Sequence, residues 1–208
     1  MRCPSAPDYG EGLVDHLSII SEGCLYEGFP ANPADSYIYF GYVFDQGEWE
    51  DEAVEFMGHE VPVQLMQGLT KLFLAESLWP YMASGEQSGL PSDCANALRT
   101  LDSNIPVETP YGNGGNDVIY RLAEGVERVL ITDVSDPAAS SEAQSDIAVY
   151  WDMVNTDPMG GGASMNHVPG GANVLYMDGH VEFHKYDQKG EFPINGRLAE
   201  PMAILAEF

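Results

Sequence analysis

Histidines and acids gather in one stretch near the C-terminal end of the sequence, NHVPGGANVLYMDGHVEFH. His180, Glu182 and His184 alternate, so on an extended strand their side chains would share one face at intervals of ~6.6 Å. With Asp178 and His167 they could form the site of a metal-assisted hydrolase. Polar alternation along an exposed strand explains the same residues without a metal. His167 and Asp178 could also form a catalytic pair, but no serine or cysteine stands beside them in the setting of a nucleophile.

The elements that must position these side chains are two strands joined at Asp178-Gly179. Asp-Gly between two alternating runs predicts a hairpin with a two-residue type I′ turn, because that turn needs positive φ at both central positions. Met177 would then pair with His180, and Val174 with Phe183. One face would carry Val174, Tyr176, Val181 and Phe183, and the other Leu175, Met177, His180, Glu182 and His184.

Upstream of the hairpin, apolar periodicity and turn residues predict strands with helices between them. Pro62 and the spacing of apolar residues after it indicate the clearest helix, over 62–78. The other predicted elements are a strand at 36–44, an acidic solvated connection at 46–60, a helix at 117–124 capped by Asn116, a strand at 126–133, a helix at 136–146, a strand at 147–152 and a glycine-rich loop at 155–164.

This order of elements predicts an α+β fold with an antiparallel sheet, at least one packed helix and a C-terminal hairpin. The 208 residues fit a single domain spanning 1–208. Within it we expect an irregular N-terminal segment at 1–35 and a loop-rich insertion at 80–115. No stretch reaches the ~18 apolar residues of a membrane span, and we expect neither a signal nor an anchor in the chain as given.

The charge balance restricts the classes of partner. The sequence has 33 acids and 8 bases besides its histidines, for a net charge of −25. Such a surface repels phosphate backbones and anionic lipids, so we expect neither nucleic acid nor a membrane surface as partner. It is compatible with divalent cations, a saline exterior or simple solubility.

Three cysteines, Cys3, Cys24 and Cys94, have no C-x-x-C spacing, so a zinc site built from them alone is not expected. In an oxidising compartment Cys3 and Cys24, the closest pair in sequence, could form a disulfide that adds about 3 kcal/mol. Three unpaired thiols are the alternative.

The stretch NHVPGGANVLYMDGHVEF resembles the C-terminal signature of bacterial prepilin-type proteins, in which a histidine is followed after about nine residues by Asp-Gly. Here ten residues separate His167 from Asp178, and the extra one falls in the Val-Pro-Gly-Gly segment. Blocks at 2–5, 36–45 and 112–152 also resemble this family, so the likeness touches about half of the chain. The residues that match the signature are His167, Gly170, Gly171, Asn173, Asp178, Gly179 and His180.

The resemblance implies a structural subunit of a type IV pilus-like or type II secretion pseudopilus-like assembly, not an enzyme. It implies an α+β head that contacts other pilin-like subunits or a secretion apparatus, in the cell envelope or outside the cell. The N-terminal apolar helix usual in such proteins does not open this sequence. The family also implies a structural calcium ion, for which the candidates are Asp133, Asp136, Asp152 and Asp157; structural acids at strand ends are the alternative.

A third function stays open, a secreted module that binds glycan or protein through its loops. Trp49, Trp79 and Tyr81 are its candidate contact residues, although a tryptophan at a helix end is more often part of the core.

Overall fold

The computed structural model of the chain describes residues 37–73, 103–130, 139–157, 162–167 and 170–205. The strands are β1 Tyr37–Ile38, β2 Ala53–Phe56, β3 His59–Pro62, β4 Ile105–Pro106, β5 Val118–Ile119, β6 Ala148–Asp152, β7 Val154–Asp157, β8 Gly162–Met165, β9 Gly171–Tyr176 and β10 Val181–Lys185. The α-helices are α1 Val63–Phe73, α2 Ala139–Asp146 and α3 Gly196–Leu205, and 3-10 helices span Asn113–Gly115 and Val126–Val129.

The largest sheet is antiparallel and has four strands in the order β1-β6-β9-β10. β2 pairs with β3, β4 with β5, and β7 with β8, each as a separate antiparallel pair. Helices and an antiparallel sheet in one chain are compatible with the predicted α+β class. Within the described ranges, no helix is long and apolar enough to cross a membrane.

One face of the four-stranded sheet, here called the inner face, forms the main core. Trp151 of β6 and Val174 of β9 are buried there against Leu65 of α1 and Leu198 of α3. The Trp151 ring also meets Phe192 edge to face, with ring centroids 6.3 Å apart. The helices therefore cover the inner face, and the opposite face is called the outer face below.

The predicted helix at 62–78 is confirmed over the residues that the structure describes, which end at Phe73. Val63 and Leu65 are buried, and Met66 and Leu69 pack at the edge of the core, as the apolar spacing indicates. The helix at 136–146 and the strand at 147–152 are also confirmed, as α2 and β6. Residues 74–78 and 136–138 lie outside the described ranges.

A buried polar network fixes α1 to the segment that precedes it. Gln64 is fully buried; its Oε1 accepts hydrogen bonds from the backbone N–H groups of Asp45 (3.0 Å) and Gln46 (3.1 Å). Its Nε2 donates to Asp45 Oδ1 at 2.7 Å, and Asn113 Nδ2 donates to the same oxygen at 2.7 Å. Buried amides are tolerated here because their donors and acceptors have partners.

The acidic stretch at 46–60 was predicted to be a solvated connection, in part helical; it is mostly exposed as predicted, but its second half is neither an irregular connection nor a helix. Its second half forms the β2–β3 hairpin, in which Phe56 pairs with His59. The two loop residues Met57 and Gly58 have φ of 52° and 88°, the positive values of a type I′ turn. Alternation of acids with Val54 and Phe56 was the overlooked strand signal.

The helix predicted at 117–124 and the strand predicted at 126–133 are both wrong where the structure describes them. Val118 and Ile119 form β5 and pair with β4, which buries Ile119 completely. Val126–Val129 is a 3-10 helix that buries Val126 beside Val43. Tertiary burial of these residues outweighs their local propensities.

Two further expectations need correction. The glycine-rich loop predicted at 155–164 contains β7 and β8, which pair from Val154↔Met165 to Asp157↔Gly162, with 158–161 outside the described ranges. The strand predicted at 36–44 is a strand only over β1. Gly41, with φ of 74°, turns the chain toward an isolated bridge between Tyr42 and Arg121.

Helix α3 was not predicted; it begins at Gly196 and contains Pro201, two residue types that disfavour a helix. The side chain of Asn195 caps it by accepting a hydrogen bond from Leu198 N, and Asn195 Nδ2 donates to Gly47 O at 2.9 Å. The buried Leu198 and Ala199 hold the helix against the core, beside β7 and β3.

The predicted segment at 1–35, the Cys3–Cys24 pair and Cys94 lie outside the described residues. The insertion predicted at 80–115 is described only from residue 103, where β4 and the first 3-10 helix occur.

Candidate functional site

A buried carboxylate connects three elements beneath the signature histidine. Asp152 ends β6, and its side chain is 5% exposed. Its Oδ2 accepts hydrogen bonds from the backbone N–H and the Nδ2 of Asn173 on β9, each at 2.8 Å. The same oxygen lies 2.9 Å from Nε2 of His167, in the segment after β8. One carboxylate therefore ties β6 and β9 to the chain that leads into the hairpin.

The hydrogen on the His167 ring is assigned by its neighbours. Nε2 also lies 3.1 Å from Asn173 Nδ2, which already donates to Asp152. The carboxylate of Asp152 can only accept, so its 2.9 Å contact requires the proton on Nε2; Asn173 Nδ2, also a donor, then makes no hydrogen bond to that nitrogen. An Asp–His pair of this kind can orient an imidazole for proton transfer. Here the ring also lies edge-on to Phe183, at 6.2 Å between centroids.

The glycine pair of the signature lets β9 begin close to β10. A Cβ on Gly171 would collide with the backbone oxygen of His184 and approach Lys185 Cα at 3.1 Å, so only glycine fits. Gly170 has φ of 114°, and its N–H donates to His167 O at 2.9 Å. The glycines and the histidine thus act together to shape the entry to the hairpin.

The turn at the other end of the hairpin is not the predicted type I′ turn. Gly179 N donates to Tyr176 O, and Tyr176 N donates to His180 O, both at 3.0 Å. The loop therefore consists of three residues, 177–179, with Gly179 last at φ 92°. Asp178 Oδ1 accepts from His180 N at 3.0 Å and lies 2.6 Å from its Nδ1. These hydrogen bonds, the backbone one first, lower the pKa of Asp178.

The longer loop shifts the pairing register by one residue, so the predicted pairs are wrong. Val181 lies opposite Leu175, and Phe183 lies opposite Asn173. Because strand faces alternate, a shift of one residue exchanges the faces of one strand relative to the other. The predicted grouping of Val174 and Tyr176 with Val181 and Phe183 is therefore wrong.

Tyr176 instead shares the inner face with His184 of β10 and with His180, which precedes that strand. Its ring stacks on His180 at 4.5 Å between centroids, and its hydroxyl lies 2.8 Å from Nε2 of His184. His184 Nδ1 is 3.5 Å from a Glu191 carboxylate oxygen. Burial raises the pKa of Tyr176 to about 12, with the negative charges of Glu182 and Glu191 acting in the same direction.

The residues considered for a metal-assisted hydrolase are not brought together. His167 binds Asp152 on the outer face, His184 binds Tyr176 on the inner face, and Asp178 and His180 bind each other at the turn. Over the described ranges, no group of three or more histidines, cysteines and acids is arranged to hold a metal ion. The metal-assisted hydrolase therefore stays a prediction that this arrangement does not support.

The calcium candidates lie mostly beyond what the structure describes. Asp133, Asp136 and the side chain of Asp157 fall outside it. Asp152 is described, and its Oδ2 is directed at Asn173 and His167. Calcium binding by this set stays a prediction.

The outer face of the sheet carries an aromatic and apolar patch that the sequence interpretation missed. Tyr37 stacks on Tyr150 at 5.0 Å between centroids, and Tyr39 lies 6.5 Å from the same ring. The register places Leu175 beside Tyr150 and Val181 beside Leu175. Tyr39 is 58%, Val181 60% and Phe183 47% exposed. We call this set the outer-face patch: Tyr37, Tyr39, Tyr150, Leu175, Val181 and Phe183.

Trp49, a candidate contact for glycan, is engaged by the chain's own cations. Lys189 Nζ lies 5.0 Å and Arg197 Cζ 4.9 Å from its ring centroid. These cation–π contacts occupy the surface that a sugar would stack on. The other candidates, Trp79 and Tyr81, lie outside the described residues.

Comparison of the chain with protein-family models, with curated proteins and with solved structures found no match. The prepilin-type resemblance of the hairpin stretch therefore stays a prediction from its residues.

Proposed function

We propose that this chain is a non-enzymatic structural subunit of a type IV pilus-like or type II secretion pseudopilus-like assembly. Its place would be the bacterial cell envelope or the exterior, and its partners other pilin-like subunits or a secretion apparatus. The observation that carries the proposal is the outer-face patch. An apolar face of a sheet left in contact with water is typical of a surface that another protein covers.

The exposed apolar side chains of this patch contrast with the acidic composition of the chain. The chain has 33 acids for 208 residues, yet Tyr39, Val181 and Phe183 are each about half exposed or more on one face of one sheet. Lys185 is exposed, and it alternates with Phe183 and Val181 along β10, so all three side chains lie on the same face of the sheet. The patch thus offers apolar contact area with a cation beside it, on a chain whose net charge is −25.

The arrangement of the signature residues also supports a structural role. His167, Asn173 and Asp152 bind one another, Gly171 permits the close approach of two strands, and Asp178 closes the turn. Each contact shapes the hairpin that carries Val181 and Phe183. The α+β content and the four-stranded antiparallel sheet are compatible with a pilin-like head.

The test is made in the source cell with two matched pairs of substitutions. Tyr39→Ser with Phe183→Ser removes apolar area from the patch. Val54→Ser with Phe56→Ser does the same on the β2–β3 hairpin, where these side chains are 39% and 43% exposed. Immunoblots of sheared extracellular filaments and of envelope fractions should lose the patch variant and retain the hairpin control. Equal retention of both variants, or wild-type protein confined to the cell interior, would refute the proposal.

A further inference from the structure

Strand β10 lies at one edge of the four-stranded sheet, and no described strand pairs with its outer side. Tyr176 N donates to His180 O at 3.0 Å, and Tyr186 N donates to Gly170 O at 3.2 Å, which fixes which residues face β9. Antiparallel pairing alternates, so the backbone groups of Val181, Phe183 and Lys185 are directed away from β9. These N–H and C=O groups form a row that another strand can pair with.

Two of the devices that usually prevent edge pairing, proline and a bulge, are absent from β10. Between Val181 and Lys185 there is no proline, and the register with β9 is continuous, without a bulge. Val181 and Phe183 are also exposed, so apolar side chains accompany the backbone groups that no described strand pairs with. The charged side chains of the strand, Glu182, His184 and Lys185, oppose pairing with a strand that does not match them, so the partner must be complementary in charge.

We infer that β10 pairs with β10 of a second copy of this chain, antiparallel and centred on Phe183. In this register Phe183 faces its own counterpart, and Val181 faces Lys185. Glu182 faces His184, twice by symmetry. Both members of the Val181–Lys185 pair have their backbone groups directed outward, as pairing across a free edge requires.

Charge complementarity selects this occupant and this register. Glu182 and His184 would occupy the non-hydrogen-bonded positions, where side chains on neighbouring strands are closest. Within one copy, His184 Nε2 is 3.9 Å from Glu182 Oε2 and its Nδ1 is 3.5 Å from Glu191 Oε2, so each imidazole would gain a third carboxylate neighbour. A parallel arrangement would instead align Glu182 with Glu182, and like charges directly opposite are destabilising.

This inference goes beyond the proposed function, because two copies can pair at β10 whether or not they enter a filament. The net charge of −25 on each copy produces a long-range repulsion that opposes association of two copies. Salt screens that repulsion more than it weakens the short-range edge contacts, so association should strengthen between about 0.02 and 0.3 M sodium chloride.

The test uses two variants that are each self-repelling and mutually complementary. Glu182→Lys sets a lysine against His184, and His184→Glu sets a carboxylate against Glu182. Sedimentation equilibrium of the full chain at pH 6 should show a wild-type dimer and about tenfold or more weaker dimerisation of each variant alone. An equimolar mixture should regain dimer, since the mixed pair places lysine against glutamate and His184 against Glu182. Glu55→Lys, on exposed β2, is the charge-matched control and should dimerise like wild type.

Hydrogen exchange on wild-type protein tests the register without a substitution. The amides of Val181, Phe183 and Lys185 should exchange more slowly as concentration rises, whereas those of the β2–β3 hairpin should not change. The inference is overturned if wild type stays monomeric to about 1 mM, if the two variants dimerise as wild type does, or if mixing two folded variants restores nothing. Wild-type protein that stays monomeric in solution but is recovered normally in sheared filaments would overturn this inference and leave the proposed function standing.

Discussion

Replacing Asp152 by alanine should be among the most damaging single changes to the described fold. The Oδ2 of this buried carboxylate accepts two hydrogen bonds from Asn173 at 2.8 Å and lies 2.9 Å from His167 Nε2. Hydrogen bonds to a charged group each contribute about 1.5–3 kcal/mol, and they do not add fully. We therefore expect Asp152→Ala to reduce the free energy of unfolding by about 3–4 kcal/mol.

The assay is thermal and urea denaturation followed by circular dichroism. For a chain of this size about 3–4 kcal/mol corresponds to a fall in Tm of roughly 6–16 °C. Glu55→Ala is the matched control, because it removes the same charge from an exposed strand position, and it should change stability by less than about 0.5 kcal/mol. Asp152→Asn keeps one acceptor oxygen and should fall between the two.

A double-mutant cycle separates the contribution of the His167 contact from that of the two hydrogen bonds donated by Asn173. His167→Ala should cost less than Asp152→Ala, because the Asn173 bonds remain and the histidine side chain is 28% exposed. The double variant should be more stable than the sum of the two losses predicts, by about 1–2 kcal/mol. Additive losses, or an Asp152→Ala protein as stable as the Glu55→Ala control, would refute the assignment of Asp152 as the buried tie.

Four further outcomes follow from the hairpin and the charge. Gly171→Ala should lower Tm, because the added Cβ collides with the β10 backbone. Gly179→Val should reduce the free energy of unfolding by more than about 1 kcal/mol, because φ at this position is 92°. An unchanged Tm would contradict the close approach of the strands in the first case and the turn in the second. The pKa of Tyr176 is raised to about 12, so the unfolded state, with an ordinary value of about 10, ionises first. Its stabilisation is present below about pH 10 and lost between about pH 10 and 12, and Tyr176→Phe should show a smaller alkaline loss in urea titrations; identical pH profiles would contradict this. Low-millimolar calcium should raise Tm or promote association more than sodium chloride of equal ionic strength, and a response to ionic strength alone would exclude a calcium site.

Local patterns were enough to predict several elements. The apolar spacing after Pro62 indicates α1, and Leu65 is buried as that spacing requires. The alternating, β-branched run at 147–152 indicates β6, and Asp178-Gly179 indicates the presence of a hairpin. In each case the deciding interactions lie within a few residues of one another, so they can be recognised from sequence alone.

The register of the hairpin was decided by tertiary packing. Asp-Gly suits both a two-residue loop and a three-residue loop that ends in glycine. The second places Tyr176 against His180 and His184 and leaves Val181 and Phe183 in water. If apolar side chains were simply gathered on one face, the two-residue loop would be expected. The outer-face patch could therefore not be found before the register was known.

Tertiary packing also decided the presence of α3 and the contacts of the Asp152 carboxylate with Asn173 and His167. Pro201 argues against a helix, yet Leu198 and Ala199 bury their side chains in a core built from segments far away in sequence. Asp152 lies 21 residues from Asn173, and neither residue has a local partner that would reveal their contact. The sequence by itself determined the α+β composition, the hairpin and the acidic charge. The tertiary structure alone decided which faces meet, because burial and hydrogen bonding between distant segments carry free energies larger than the local propensities that they override.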